Sequence, residues 1–311
     1  MNWNKKGHIF VPDGSLDWAK SYAHVVCTDT SNDDYIRVYY SARDAKGRCQ
    51  ASFLDLDAND YSKVLYVHQE PILELGVKGL FDDCGIMPTW LTEVDGKKWL
   101  YYIGWTVRNT IPYHNAIGLA ISEDGINFKK AYEGPIIHTI ATEPYFSGSA
   151  CILQDGGIFK VWYLNCTDWY DAPDGRVEPC YHIKYAESED GIYWKREGKI
   201  AIDYKDGVKS GISRPCVVKE NGIYKMWYSF RAIDDFRTNK ARSYRIGYAE
   251  SKNGIDWQRK DEEVGIDVSE NGWDSEMIEY AMVFKHRDKL IMFYNGNGHG
   301  ESGFGYAVYE D

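Results

Sequence analysis

A strand-like segment closing on tyrosine recurs five times along the chain, as Val38-Tyr39-Tyr40, Leu100-Tyr101-Tyr102, Val161-Trp162-Tyr163, Met226-Trp227-Tyr228 and Met292-Phe293-Tyr294. The closing tyrosines stand roughly 60 to 66 residues apart. A fixed period of this size marks repeated supersecondary units, stacked or arranged radially. Each repeat also carries hairpin signals. In the third, Ser149–Leu153 and Phe159–Tyr163 flank Asp155-Gly156-Gly157, and His182–Ser188 leads through Glu189-Asp190-Gly191 into Ile192-Tyr193-Trp194. The fourth repeats this with Arg214–Val218, Asn221-Gly222, Tyr224–Tyr228, Arg245–Ser251, Asn253-Gly254 and Ile255-Asp256-Trp257. Asp-Gly and Asn-Gly suit tight hairpins because those turns need φ > 0.

Four strands per repeat predict an all-β fold, a five-bladed β-propeller formed by residues 1–311 as a single domain. The last repeat runs Glu279–Phe284, Leu290–Tyr294 and Phe304–Tyr309 and lacks a fourth strand. The segment His8–Val11 supplies it, closing the ring and removing an exposed sheet edge. An open solenoid or a sandwich explains neither the missing strand at one end nor the spare at the other.

Composition narrows the function. The chain has 25 tyrosines and 11 tryptophans, which suit strands and flat sugar-facing surfaces alike. A formal net charge of −11 argues against a nucleic-acid or anionic-membrane partner. No apolar stretch reads as a signal peptide or a membrane span. Seven irregularly spaced cysteines suggest reduced thiols and a cytoplasmic setting.

In an antiparallel blade the start of the first strand and the end of the second share one edge. That edge gathers His24, Asp82, Asp83, Glu143, Arg214 and Glu279 from first strands, and Arg43, Trp105, Arg231 and Asn297 from second strands, with Asp168 and His299 nearby. Carboxylates, arginines, an amide and a tryptophan platform fit a polyhydroxylated ligand. Arg43, Arg214 and Arg231 would bind carboxylate or phosphate bidentately, so an acidic sugar or sugar phosphate is the expected partner.

Five blades of this length, with Gly-Ile-x-Trp hairpins and acidic residues opening inner strands, resemble the five-bladed glycoside hydrolases: arabinanases, β-xylosidases, invertases and mannoside phosphorylases. The resemblance implies a carboxylate pair flanking a glycosidic bond. Asp82 or Asp83 fits the second-blade place and Glu143 the third. Blade one departs, carrying His24 where an Asp is expected, with Asp17 upstream. Asp83 is expected as base or positioning carboxylate, and Glu143 or Glu279 as acid. The Ser-x-Asp/Asn-Gly-Ile-x-Trp turns are also similar to the Asp-box of sialidases, one residue short, which supports the fold and not the reaction.

The glycine-rich run Gly296–Gly305 leads into a strand and so is no dinucleotide loop. Cys-x-x-Cys and His-Glu-x-x-His spacings are missing, so neither a cofactor nor a zinc site is expected; axial carboxylates could bind a structural calcium without a linear motif. The expected activity is cleavage or transfer of a glycosyl unit of a small oligosaccharide or activated sugar by carboxylate acid–base catalysis in the central funnel. A glycoside phosphorylase and a non-catalytic carbohydrate-binding propeller are the alternatives.

Overall fold

The structure is a computed structural model describing residues 1–310. It is built almost wholly of strands: β1 (Trp3–Phe10), β2 (Ser21–Asp29), β3 (Tyr35–Arg43), β4 (Cys49–Asp57), β5 (Val64–Val67), β6 (Gly85–Val94), β7 (Lys97–Val107), β8 (Tyr113–Ser122), β9 (Lys129–Lys130), β10 (Ser147–Asp155), β11 (Ile158–Asp171), β12 (Val177–Ser188), β13 (Ile200–Ile202), β14 (Gly211–Glu220), β15 (Ile223–Arg231), β16 (Arg245–Ser251), β17 (Gln258–Arg259), β18 (Glu279–His286), β19 (Lys289–Asn295) and β20 (Phe304–Tyr309). Among the described residues no helix is long and apolar enough to cross a membrane.

Hydrogen bonding divides the strands into three open sheets, one of four strands and two of eight. Each eight-stranded sheet is two antiparallel four-strand groups joined at one parallel pair, Cys49↔Gly85 in one and Tyr181↔Gly211 in the other. The remaining sheet has the order β1-β20-β19-β18, with Trp3 opposite Tyr309 and Phe10 opposite Phe304. First strands of successive groups pack together: β2 with β6, β6 with β10, β10 with β14, β14 with β18, and β18 with β2.

The repeated aromatic pair has two separate jobs, because successive strand side chains point to opposite faces. The penultimate aromatic reaches the next group. Tyr39 Oη donates to Gly125 O at 2.7 Å, Tyr101 Oη to Gly191 O at 3.1 Å, and Trp162 Nε1 to Gly254 O at 2.8 Å. The receiving glycines sit in the Ser-x-Asp/Asn-Gly turns, which bond to themselves. In the third group Gly191 N donates to Ser188 Oγ at 2.9 Å, and the N–H groups of Ile192 and Tyr193 both donate to Asp190 Oδ1 at 2.8 Å.

In four of the five groups the closing tyrosine instead donates to a carboxylate, buried in three of them, that also holds a cation. Tyr102 bonds Asp82 at 3.1 Å and Lys130 pairs with that carboxylate at 2.6 Å. Tyr163 bonds both oxygens of Glu143 at 3.0 and 3.1 Å, and Lys184 and Arg196 each approach at 3.2 Å. Tyr228 bonds Asp261, which Arg259 holds, and Tyr294 bonds Asp274, which Lys5 holds at 2.6 Å. Glycine stands opposite three of these tyrosines (Gly118, Gly247 and Gly305). A Cβ at Gly118 would lie 2.3 Å from the Tyr102 ring, so only glycine lets that ring cross the sheet.

One expectation is corrected here. Ile192-Tyr193-Trp194 and Ile255-Asp256-Trp257 are bends held by Asp190 and Asn253, and the fourth strands β13 and β17 lie further on. With two N–H groups committed to a side chain, such a segment has too few donors left for a ladder.

Candidate functional site

The first strands carry bulges where they crowd together. Register breaks at His24/Cys27 in β2, Gly148/Ala150 in β10, Ser213/Cys216 in β14 and Glu279/Met282 in β18. At each break one non-glycine residue takes positive φ: Val25 at 53°, Ser149 at 24°, Arg214 at 51° and Tyr280 at 56°. Such conformations cost on the order of 1–3 kcal/mol each, and most of all for a β-branched residue such as valine. Neighbouring side chains offset the cost. Val25 N donates to Asn295 Oδ1 at 3.1 Å, Arg214 N to Ser149 Oγ at 3.0 Å, and Tyr280 N to Ser229 Oγ at 2.8 Å.

At the mouth of these strands lies a cavity of about 300 Å³, walled by residues from all five four-strand groups. One wall holds His24, Arg43 and Cys49. Burial, then the charge of Arg43, push His24 down to about 3, so its ring is neutral. The Arg43 guanidinium lies 4.2 Å over the Tyr22 ring, and its buried Nε has no hydrogen-bond partner. Trp105 and Tyr113 add aromatic surface beside it.

The opposite wall is built on Arg231, which is 2% exposed. It donates to Pro179 O at 2.9 Å, Ala232 O at 2.8 Å and Tyr244 Oη at 3.2 Å, and sits 3.9 Å over the Phe236 ring. Burial alone would lower its pKa, but Tyr181, Tyr244 and Glu178 raise it, so the charge persists. Tyr181 and Tyr244 hydrogen-bond each other through their hydroxyls.

Between the walls runs a polar chain of four residues. Glu178 holds Arg237 through two bonds, at 2.7 and 3.1 Å. Arg237 Nη1 lies 3.2 Å from His299 Nε2, and His299 Nδ1 lies 3.1 Å from Glu279 Oε1. Glu279 is fully buried and its Oε2 has no partner. His299 sits on a left-handed coil between Gly298 (φ 68°) and Gly300 (φ 83°), at φ 60° itself. A Cβ at position 300 would lie 2.6 Å from that of His24, so the glycine is what lets this loop close against β2.

Of the residues singled out in the sequence, the cavity therefore gathers His24, Arg43, Trp105, Arg231 and His299, with Glu279 directly behind. It does not gather the rest. Asp82 and Glu143 are the carboxylates of the tyrosine knots, fully neutralised by cations. Asp83 accepts from Gly79 N at 2.9 Å; burial raises its pKa, but that bond, Thr106, Cys84 and Arg108 together bring it below the ordinary value. Asp168 pairs with Lys209 at the surface. Asn297 serves the loop, accepting from Glu276 N at 2.7 Å and donating to Gly272 O at 3.0 Å. Arg214 is buried among the first strands, its Nη2 donating to Val26 O at 2.6 Å. The interior position considered for calcium thus carries a guanidinium, and among the described residues no cluster of His, Cys, Asp and Glu could hold a metal.

Tyr113, Glu178, Tyr181, Arg237, Tyr244 and Tyr280 were not anticipated. Glu178 lies on an extension of the β11–β12 hairpin, where Trp169 pairs with Pro179 and Tyr170 with Glu178. The turn residues Asp174-Gly175 are its one sequence signal.

No family model matches the chain. Uncharacterized protein MT1551 of Mycobacterium tuberculosis (strain CDC 1551 / Oshkosh) is 37% identical over 311 residues, all of both chains. A 1,2-beta-oligomannan phosphorylase of Thermoanaerobacter sp. (strain X514) is 31% identical over 140 residues, 43% of this chain and 44% of that protein. Among solved structures, a thermostable family-43 glycoside hydrolase superposes with a TM-score of 0.69 at 17% identity, covering 94% of this chain and 91% of its own. An exo-1,5-alpha-L-arabinanase from a bovine ruminal metagenomic library gives 0.61 at 14%, covering 94% of each. The fold is thus that of the arabinanase-like glycoside hydrolases, and by sequence the chain belongs to the family of the mycobacterial protein MT1551.

Proposed function

We propose that the chain is a single-domain, five-bladed β-propeller enzyme that acts on a glycosidic bond of an acidic or phosphorylated sugar bound in the cavity. The five four-strand groups, the cyclic packing of β2, β6, β10, β14 and β18, and the pairing of β1 with β20 support the closed ring. The likeness to glycoside hydrolases supports sugar chemistry.

The observation that carries the reading is the charge pattern of the cavity. Arg43, Arg231 and Arg237 face it, while the carboxylate in its wall, Glu178, and the one behind His299, Glu279, differ sharply in state. Glu178 is held by Arg237 in a fork, and Glu279 meets only a histidine. A hydrolase of the usual kind needs two working carboxylates. Here one remains, beside guanidinium groups suited to an oxyanion. That favours phosphorolysis, in which inorganic phosphate takes the place of the second carboxylate, and the partial likeness to the oligomannan phosphorylase points the same way. The binding-only reading rests on the Glu178–Arg237 pair, which leaves that carboxylate no catalytic freedom. Seven free cysteines, most of them buried, suit a reducing compartment, and we assign the cytoplasm on that ground.

The test is a panel of aryl glycosides, glycosyl phosphates and nucleotide sugars, with and without inorganic phosphate. Turnover should require phosphate and should fall at least about 100-fold in Glu279→Gln, the range of one lost acid–base group. Full rate in that variant would remove Glu279 from the mechanism, and saturable sugar binding without turnover would replace the enzyme by a binding protein.

A further inference from the structure

Glu279 is the catalytic carboxylate of the reading above only if it can reach the substrate, and the structure denies it that reach. It is 0% exposed, it is not part of the cavity wall, and its unpartnered Oε2 is sealed from solvent. His299 stands between it and the cavity with its side chain 25% exposed. We infer that His299 is the group that exchanges a proton with the substrate, and that Glu279 and Arg237 are positioning residues acting through it. This rests on the proposed function and replaces the paired-carboxylate chemistry by a carboxylate–imidazole relay.

The hydrogen-bond roles fix the tautomer. A guanidinium only donates, so at 3.2 Å the Arg237 Nη1–H points its proton at His299 Nε2, which accepts. A carboxylate only accepts, so at 3.1 Å Glu279 Oε1 receives the proton of His299 Nδ1. The ring is therefore neutral, with hydrogen on Nδ1 and the Nε2 lone pair toward the cavity. Its other neighbours are the neutral His24 on β2, the Tyr244 ring at 5.5 Å and the Phe236 ring at 6.4 Å. Neither aromatic ring offers a competing charge. The coil of Gly298 and Gly300 holds the imidazole in place from behind.

Arg237 is the removable part. Its side chain is 38% exposed, against 7% for its partner Glu178. An anionic group entering the cavity draws the guanidinium away from Nε2 and leaves the lone pair free. The hydroxyl of the bound hydrogen phosphate then passes its proton to Nε2 as a phosphate oxygen bonds to the anomeric carbon. The bond from that carbon to the leaving oxygen breaks with its electron pair, and the leaving oxygen takes up the proton, restoring the neutral ring. The imidazolium formed in between stays paired with Glu279, which keeps its charge throughout. The same oxyanion that Arg237 recognises thus arms the base.

Protein labelled with ¹⁵N at histidine, titrated by two-bond ¹H–¹⁵N correlation spectra with inorganic phosphate as the probe, tests this directly. In phosphate-free wild type, His299 should show the Nδ1–H form. Saturating phosphate should raise its imidazolium-to-imidazole ratio at fixed pH about fivefold, which is about 1 kcal/mol, the value of removing one cation at contact distance in water. Arg237→Gln should show the higher ratio without phosphate and no response to it. Glu279→Gln should lose the single tautomer, while unchanged signals of His286, which is hydrogen-bonded to Tyr61, report that each variant folds. An Nε2–H form in wild type, or a ring indifferent to phosphate and to Arg237, would overturn the assignment. If these signatures appear and no sugar in the panel turns over, the functional reading fails and the arming of His299 by oxyanions stands.

Discussion

Replacing His24 with glutamine should flatten the acid side of the protein's stability curve. In the folded chain His24 is held at about 3 by burial and by Arg43. In the unfolded chain an imidazole titrates near its ordinary value of about 6.5. Between those values the unfolded chain takes up a proton that the folded chain refuses. Stability from this residue is therefore complete above about pH 6.5 and is lost as the pH falls, with a slope of about 1.4 kcal/mol per unit. By pH 5 the loss is about 2 kcal/mol, and it levels off near pH 3. Urea unfolding of wild type and His24→Gln at pH 7.5, 6.5, 5.5 and 5.0 isolates the effect. Any pH-independent cost of the substitution cancels in the change of their difference, and other histidines contribute to both chains alike. The difference should move by about 2 kcal/mol in favour of the variant between pH 7 and 5. Two parallel curves would show that the folded protein admits a proton at His24, and the account of a dry wall beneath Arg43 would fall.

Glu143→Gln should destabilise the fold by about 3–5 kcal/mol, because Lys184 and Arg196 would keep their charges in a buried site without a partner. Denaturant midpoints measure this, and an unchanged midpoint would return Glu143 to the list of catalytic candidates. Arg214→Met should be neutral or stabilising by up to about 4 kcal/mol, since it removes a buried guanidinium whose Nε and Nη1 have no partners. Thermal and urea unfolding give the sign, and a clear loss of stability would mean that these donors are satisfied in solution by a bound anion or water.

Much of the fold could be read in advance because its signals are local. Asn221-Gly222 and Asp155-Gly156-Gly157 dictate turns by backbone sterics, and the Tyr-closed strands repeat on a fixed period. The short outer strand Gln258–Arg259 lies beyond the expected Ile255-Asp256-Trp257 because nothing in two residues distinguishes an edge pair from a loop. The site was harder to read. Asp82, Glu143 and Glu279 are all acids near first strands, and only packing separates two that meet lysine from one that meets histidine. Arg237 and Glu178 lie 59 positions apart in loops of different groups, so no spacing announces their fork. Arg231 and His24 could be named because the second-strand tyrosine and the first strand set their depth.

The partnership of β1 with β20 has a consequence for how the molecule is made. Residues 3 to 10 leave the ribosome long before their hydrogen-bonding partners, residues 304 to 309. During synthesis the earliest segment must remain unpaired while the intervening hairpins form from their own nearby sequence. Contacts spanning nearly the whole polypeptide are the slowest kind to establish. The annealing of β1 with β20 is thus a late step, and the nascent protein carries one loose ribbon until β20 emerges.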